Sequence, residues 1–153
     1  MDDNLEDPTL LVRDALAASL SEQFIGLALF GSRARGDHSD LSDWDFLLVA
    51  EGLPGQAFAR HRYLVEALPP ELRGSVSIIA RTPAEFATQS STLYLEIAAT
   101  GRILHDPTGL VAARLGILRE WASRAGWKRI QDGRDSYWLS EDHRPLAWLR
   151  RGA

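Results

Sequence analysis

The chain contains no cysteine. Disulfides, thiolate metal sites and cysteine nucleophiles are therefore excluded. It has no apolar run near the roughly 20 residues that a membrane crossing needs, so no membrane partner is expected. No segment repeats and none is low in complexity. Positive charge is also scarce: 17 basic residues face 21 acidic ones, a net charge of −4. The deficit is concentrated in residues 1–110, which hold 8 basic and 16 acidic groups. Such an acidic body lacks the clustered cations that sequence-independent nucleic-acid binding requires, so nucleic acid is not an expected partner. The opening MDDNLEDP lacks the basic and apolar pattern of a targeting leader, and the expectation is a soluble, cytoplasmic protein.

What is present is ordinary globular material. The 153 residues are 45% hydrophobic and 25% charged, enough for one domain with a sizeable core. Asp7-Pro8 precedes a periodic apolar stretch and predicts a helix over 8–22. FIGLALF, residues 24–30, is a short apolar run ending at Gly31 and reads as a buried strand. DWDFLLVA, residues 43–50, reads as a second strand, and SVSIIA, residues 75–80, as a third. Helical spacing runs over 56–68 and stops at Pro69-Pro70. Thr82 to Glu85 has capping-box spacing, and the helix it starts is expected to continue through Ala99 to Gly101. A short fourth strand is expected over 102–105 and a helix over 110–125. From Gly126 the pattern is irregular, with Trp127, Tyr137, Trp138 and Trp148 among charges and a hairpin turn signal at Asp132-Gly133. This alternation predicts an α/β (α+β) domain with helices around a small sheet.

The chemistry concentrates in LFGSRARGDHSDLSDWDFLLV, residues 29–49. Side chains alternate along a strand, so Asp43 and Asp45 share a face, about 7 Å apart. Two ionised carboxylates at that spacing repel, and a hard divalent cation between them relieves the repulsion. Gly31 allows close backbone approach to a ligand, and Ser32 offers a hydroxyl and N–H groups to a phosphate at a helix start. Phosphate donors facing a metal-binding acid pair make a nucleoside-triphosphate site. Trp44, between the acids, is expected on the opposite, core-facing side. Asp37 and Asp40 read as a polar loop, and Ser42 as ordering the approach to the strand. His38, His61, His105 and His143 have no metal-ligand spacing and are expected in structural or surface roles.

Gly-Ser, ten residues, then Asp-x-Asp resembles the signature of the DNA polymerase β-like nucleotidyltransferase superfamily. GSRARGDHSDLSDWDFLLV is similar to its minimal nucleotidyltransferases, many of which are antitoxins paired with HEPN-domain toxins. IIARTPAEF, GRILHD and WKRIQDGRDSYWL extend the resemblance over most of residues 24–140. It implies a small mixed β-sheet flanked by helices, the polymerase β palm-like fold. Residues 1–125 would be the core, with 126–153 an aromatic tail packing on it in the same domain. It also implies Mg²⁺ (or Mn²⁺) and transfer of a nucleoside monophosphate from ATP or another NTP. By position, Asp43 and Asp45 would be catalytic and bind metal. Gly31 and Ser32 would bind the nucleotide. Arg33 and Arg35 either touch phosphate or order the loop. A HEPN-type helical protein is the implied partner, and a homodimer stays open.

One position departs from the pattern. Relatives usually carry a third carboxylate on the third strand, and here Ser77 stands at that degenerate third-acid position. A serine hydroxyl has too high a pKa to act as general base at neutral pH. Glu51 and Asp40 are candidate stand-ins. The alternative to an enzyme is therefore a catalytically degenerate protein that acts by binding a partner. An antibiotic-modifying transferase is a third option, disfavoured because those enzymes usually add a helical acceptor domain.

Overall fold

A computed structural model describes residues 6–141. His143 and Trp148 lie outside the described residues. Helix α1 spans Pro8–Leu20. The Asp7 carboxylate accepts from the Thr9 N–H at 2.9 Å, and Pro8 occupies the first turn, where its missing N–H costs nothing. Val12, Leu16 and Leu20 recur at four-residue spacing and are buried. After a short 3-10 turn come β1 (Phe24–Phe30), the one-turn α2 (Ser32–Arg35), β2 (Trp44–Ala50) and α3 (Ala57–Ala67). Then follow β3 (Val76–Arg81), α4 (Pro83–Ala87), α5 (Thr92–Thr100), β4 (Arg102–His105) and α6 (Leu110–Arg124).

Four strands form one mixed sheet in the order β3-β2-β1-β4. Strand β1 is antiparallel to β2 and β4, whereas β2 and β3 run parallel, with α3 in the connection between them. Both faces of the sheet are covered. Leu27, Leu29, Phe46 and Leu48 pack with Val12 and Leu16 of α1 and Leu64 of α3. Ala28, Phe30, Leu47 and Val49 pack on the other side with Phe86, Leu95, Ile97, Leu115 and Leu118 from α4, α5 and α6. Two-sided burial is why β1 and β2 read as continuous apolar runs rather than as an alternation. The expected small mixed sheet flanked by helices is the observed architecture.

The helix expected over 82–99 is two helices. The capping box at its start is present: the Glu85 N–H donates to Thr82 Oγ1 and the Thr82 N–H to Glu85 Oε2. Helix α4 nevertheless ends at Ala87, and α5 begins after Ser91. Thr88-Gln89-Ser90-Ser91 is rich in side chains that compete with the helical backbone for hydrogen bonds. The break is held by Arg114 of α6, which is buried and donates to the Gln89 carbonyl at 3.0 Å.

Residues 127–140 are more regular than the sequence pattern suggests. Strands β5 (Trp127–Asp132) and β6 (Asp135–Ser140) form an antiparallel hairpin. Asp132 pairs with Asp135, so the two-residue loop is Gly133-Arg134, one position later than the Asp-Gly signal. Gly133 has φ +60°, which suits the first central position of a II′ turn. Trp127 and Trp138 pack against the layer formed by α5 and α6.

Candidate active site

Strand β1 ends opposite the acid pair: Phe30 is the antiparallel partner of Asp45. The chain then turns at Gly31, with φ 75° and ψ −162°, a conformation essentially confined to glycine. A Cβ at this position would lie 2.5 Å from Asp45 Oδ2. The glycine backbone therefore lies directly against the Asp45 carboxylate, and any side chain would displace one or the other. Ser32 opens α2, whose short turn is closed by the Ala34 and Arg35 N–H groups donating to the Gly31 carbonyl. The N–H groups of Ser32 and Arg33 precede the first intrahelical bond, which leaves them available to an anion.

Asp45 lies in β2 on the face of Leu47 and Val49, with Asp43 two residues before it. Burial pushes the Asp45 carboxyl above its ordinary value, the Asp43 charge adds to this, and Arg35 opposes it. Asp43, Asp45 and Arg35 thus form one electrostatic cluster beside the Gly31 turn. Ser77 is the parallel-ladder partner of Asp45 on β3, so its side chain emerges on the same face beside the acid. Neither stand-in acid occupies that place. Glu51 is six residues further along, about 20 Å at strand rise, and exposed. Asp40 is exposed in the loop. Among the described residues, no three His, Asp or Glu side chains converge as a ready-made metal site.

The two arginines of α2 diverge. Arg33 donates from Nε to the Ser42 carbonyl at 3.0 Å, and its guanidinium stacks over Trp44 at 4.3 Å. Trp44 packs with the α1 and α3 layer, on the side of the sheet away from Asp45. These contacts tie α2 to the loop at Ser42 and to the start of β2. Arg35 instead donates to Asp37 Oδ2 at 3.2 Å and lies 3.5 Å from Glu96 Oε1. Of the histidines, His105 stacks on Phe24 with ring centroids 4.1 Å apart, and His38 is exposed.

Glu96 is the residue that sequence reasoning passed over. It is the sole charge between Glu85 and Arg102, in an otherwise apolar helix, and that isolation is the signal that marks it. Burial pushes its carboxyl up. The hydrogen bonds from Arg129 and Trp138, with the charges of Arg129 and Arg35, outweigh that and hold it below its ordinary value. Arg129 binds it with two nitrogens at 2.8 and 2.9 Å, and the Trp138 indole N–H donates at 3.1 Å.

A cavity of about 490 Å³ lies elsewhere, at the far end of β3. Its lining includes Arg60, His61, Leu64, Ile78, Arg81 and Glu85. Arg60 bridges from α3 to Glu85 of α4 at 2.7 Å and donates to the Ala80 carbonyl at 3.1 Å, which caps the free edge of β3. Edge strands need such protection, so we assign this cleft to edge capping rather than to chemistry.

A family model described as a nucleotidyltransferase domain matches residues 13–94. That span carries Gly31, Ser32, Asp43, Asp45 and Ser77, and stops short of Glu96 and the hairpin. No curated protein matches the chain. Among solved structures, the chain is similar to a toxin–antitoxin crystallised with AMP-PNP. The identity is 17%, over 76% of this chain and 90% of that one, with a TM-score of 0.55. It is also similar to the MntA–HepT toxin–antitoxin, at 15% identity over 76% and 89% of the two chains, TM-score 0.50. A protein from Shewanella oneidensis matches at 14% identity over 80% and 92%, TM-score 0.50. These likenesses carry the fold. The family match spans more than half of the sequence, and the chain belongs to the nucleotidyltransferase domain family.

Proposed function

We propose that this nucleotidyltransferase-family chain moves a nucleoside monophosphate, AMP from ATP, to a hydroxyl of a protein or small-molecule acceptor in a metal-dependent reaction. The observation that carries the reading is the contact between the Gly31 turn and the Asp45 carboxylate, which makes the phosphate loop and the acid pair a single site. The acid pair suits a divalent cation. A half-buried carboxyl raised by desolvation and by the Asp43 charge is a group that gains from a bound positive charge. Asp43 and Asp45 would hold Mg²⁺ or Mn²⁺, which neutralises charge on the triphosphate and on the departing pyrophosphate.

The chain's own residues do the positioning. Gly31 admits the phosphates close to the backbone, Ser32 donates from its hydroxyl and N–H, and Arg35 supplies positive charge beside Asp45. The acceptor oxygen attacks the α-phosphorus, the bond to the β-phosphate oxygen breaks, and pyrophosphate leaves. The acceptor proton passes to solvent, because Ser77 cannot take it. Without a general base of this kind, which typically contributes about 10²–10⁴-fold, turnover is expected to be slow.

The similarity to toxin–antitoxin structures supports an antitoxin role with a HEPN-type helical partner as acceptor. Ser77 beside Asp45 favours a second reading, in which the chain neutralises that partner by contact alone. Incubation with labelled ATP, Mg²⁺ and a HEPN-type helical protein as candidate acceptor separates the two. Transfer that falls at least about 100-fold in Asp43→Ala and Asp45→Ala supports the enzyme. Absence of label, with neutralisation kept by the double variant, overturns it in favour of binding.

A further inference from the structure

Arg35 is held on two sides. Its Nε donates to Asp37 at 3.2 Å and its NH1 lies 3.5 Å from Glu96. The remaining terminal nitrogen has no partner among the described residues. An arginine fixed in this way presents a preordered donor edge, whereas a free one must lose rotamer freedom when it meets a ligand. Asp37 is a loop residue only two positions away. Glu96 is different, because it is anchored on α5 and clamped by the hairpin. Arg129 takes it with two nitrogens, Trp138 donates from its indole N–H, and Ser136 Oγ lies at 3.4 Å. The carboxylate is only 14% exposed, so these contacts are shielded from water.

We infer that Glu96 is a positioning residue for the nucleotide site, holding Arg35 towards the phosphates, and that the β5–β6 hairpin belongs to the site because it fixes Glu96. The chain of contacts runs Trp138 and Arg129 to Glu96 and Glu96 to Arg35, which stands on α2 three residues after Ser32. It lends function to a hairpin that lies outside the span matched by the family model. The inference rests on reading residues 31–45 as a triphosphate site.

The test is a double-mutant cycle on ATP affinity in the full chain with Mg²⁺, read by equilibrium dialysis. Glu96→Gln should weaken binding about fivefold when Arg35 is present, and leave it unchanged in an Arg35→Gln background. Glu96→Asp, which keeps the charge, should recover part of the loss. Trp138→Phe loosens Glu96 from the hairpin side without touching the loop. It should weaken binding about twofold, again only with Arg35 present. Trp138→Phe keeps the test decisive if Glu96→Gln fails to fold. Equal losses with and without Arg35 overturn the inference while leaving the nucleotide site intact. A wild-type chain that does not bind ATP overturns the nucleotide reading itself.

Discussion

At position 77 the proposed mechanism turns on one side chain. Asp45 and Ser77 are ladder partners, so their side chains leave the sheet on the same face with β-carbons a strand spacing apart. An acid at 77 would stand where it can share a cation with Asp45 and reach an acceptor hydroxyl. Ser77→Asp is therefore expected to raise the rate of AMP transfer by at least about 100-fold, the lower end of what a general base contributes. The same substitution should cost about 1 kcal/mol of stability in EDTA, because it adds a third carboxylate to a face where Asp45 is already unfavourably charged. Adding Mg²⁺ should recover that loss. Urea titrations with and without metal, beside a labelled-ATP assay, read both effects. An unchanged rate with a metal-independent loss of stability would remove position 77 from the reaction. Gly31 constrains the same site from the other side, since its φ of 75° and its 2.5 Å clearance to Asp45 admit no side chain.

Among the elements, α3 and α4 are joined by the Arg60–Glu85 ion pair, and Arg60 also donates to the Ala80 carbonyl of β3. Glu85 is held down to about 2, from an ordinary 4.5, first by the Arg60 hydrogen bonds and then by the Thr82 N–H. A carboxyl with a depressed folded-state pKa stabilises fully above its unfolded value. That contribution is lost as pH falls from about 4.5 towards 2. Glu85→Gln should therefore lower Tm at pH 7 and remove part of the steepening in acid, with the two proteins converging near pH 2. Glu85 is 40% exposed, so solvent screening limits the effect at neutral pH to about 1 kcal/mol. Thermal melts from pH 7 to pH 2 check it. A parallel offset of the two curves across the whole range would assign the loss to the helix cap instead. Local signals made these elements legible: the capping box at Thr82, and the glycine and acidic residues that bound the apolar strands. The break at 88–91 was not legible, because Arg114, which holds it, acts on Gln89 from 25 residues away. The acid pair and Gly31 were readable from spacing within one segment. Glu96 was hidden because its partners Arg35 and Arg129 lie 61 and 33 residues away.

For the whole molecule, charge decides how a nucleotide can bind. ATP is a polyanion and the chain carries −4 overall, with four of its acids falling in Asp37–Asp45 beside the phosphate loop. Arg35 is partly neutralised by Asp37 and Glu96, and Arg33 is drawn towards Trp44. On the proposed reading, the fixed charges of the protein would oppose the free nucleotide and favour it only when a cation accompanies it. A ligand at about 100 times its Kd stabilises the folded state by about 2.7 kcal/mol. A domain of this size gains about 2–4 °C per kcal/mol, so saturating Mg²⁺–ATP should raise Tm by roughly 5–10 °C. ATP in EDTA should give a rise of less than about 1 °C, and Mg²⁺ alone a small one, since two carboxylates make a weak site for an ion that keeps most of its water. In the Asp43→Ala, Asp45→Ala double variant the Mg²⁺–ATP shift should vanish. The apo Tm of that variant should rise, because removing the pair relieves both the burial cost and the repulsion at Asp45. Differential scanning fluorimetry measures all of these on one plate. A large shift with ATP in EDTA would mean that the triphosphate is held by cationic side chains away from the acid pair. The nucleotide site would then lie elsewhere on the molecule.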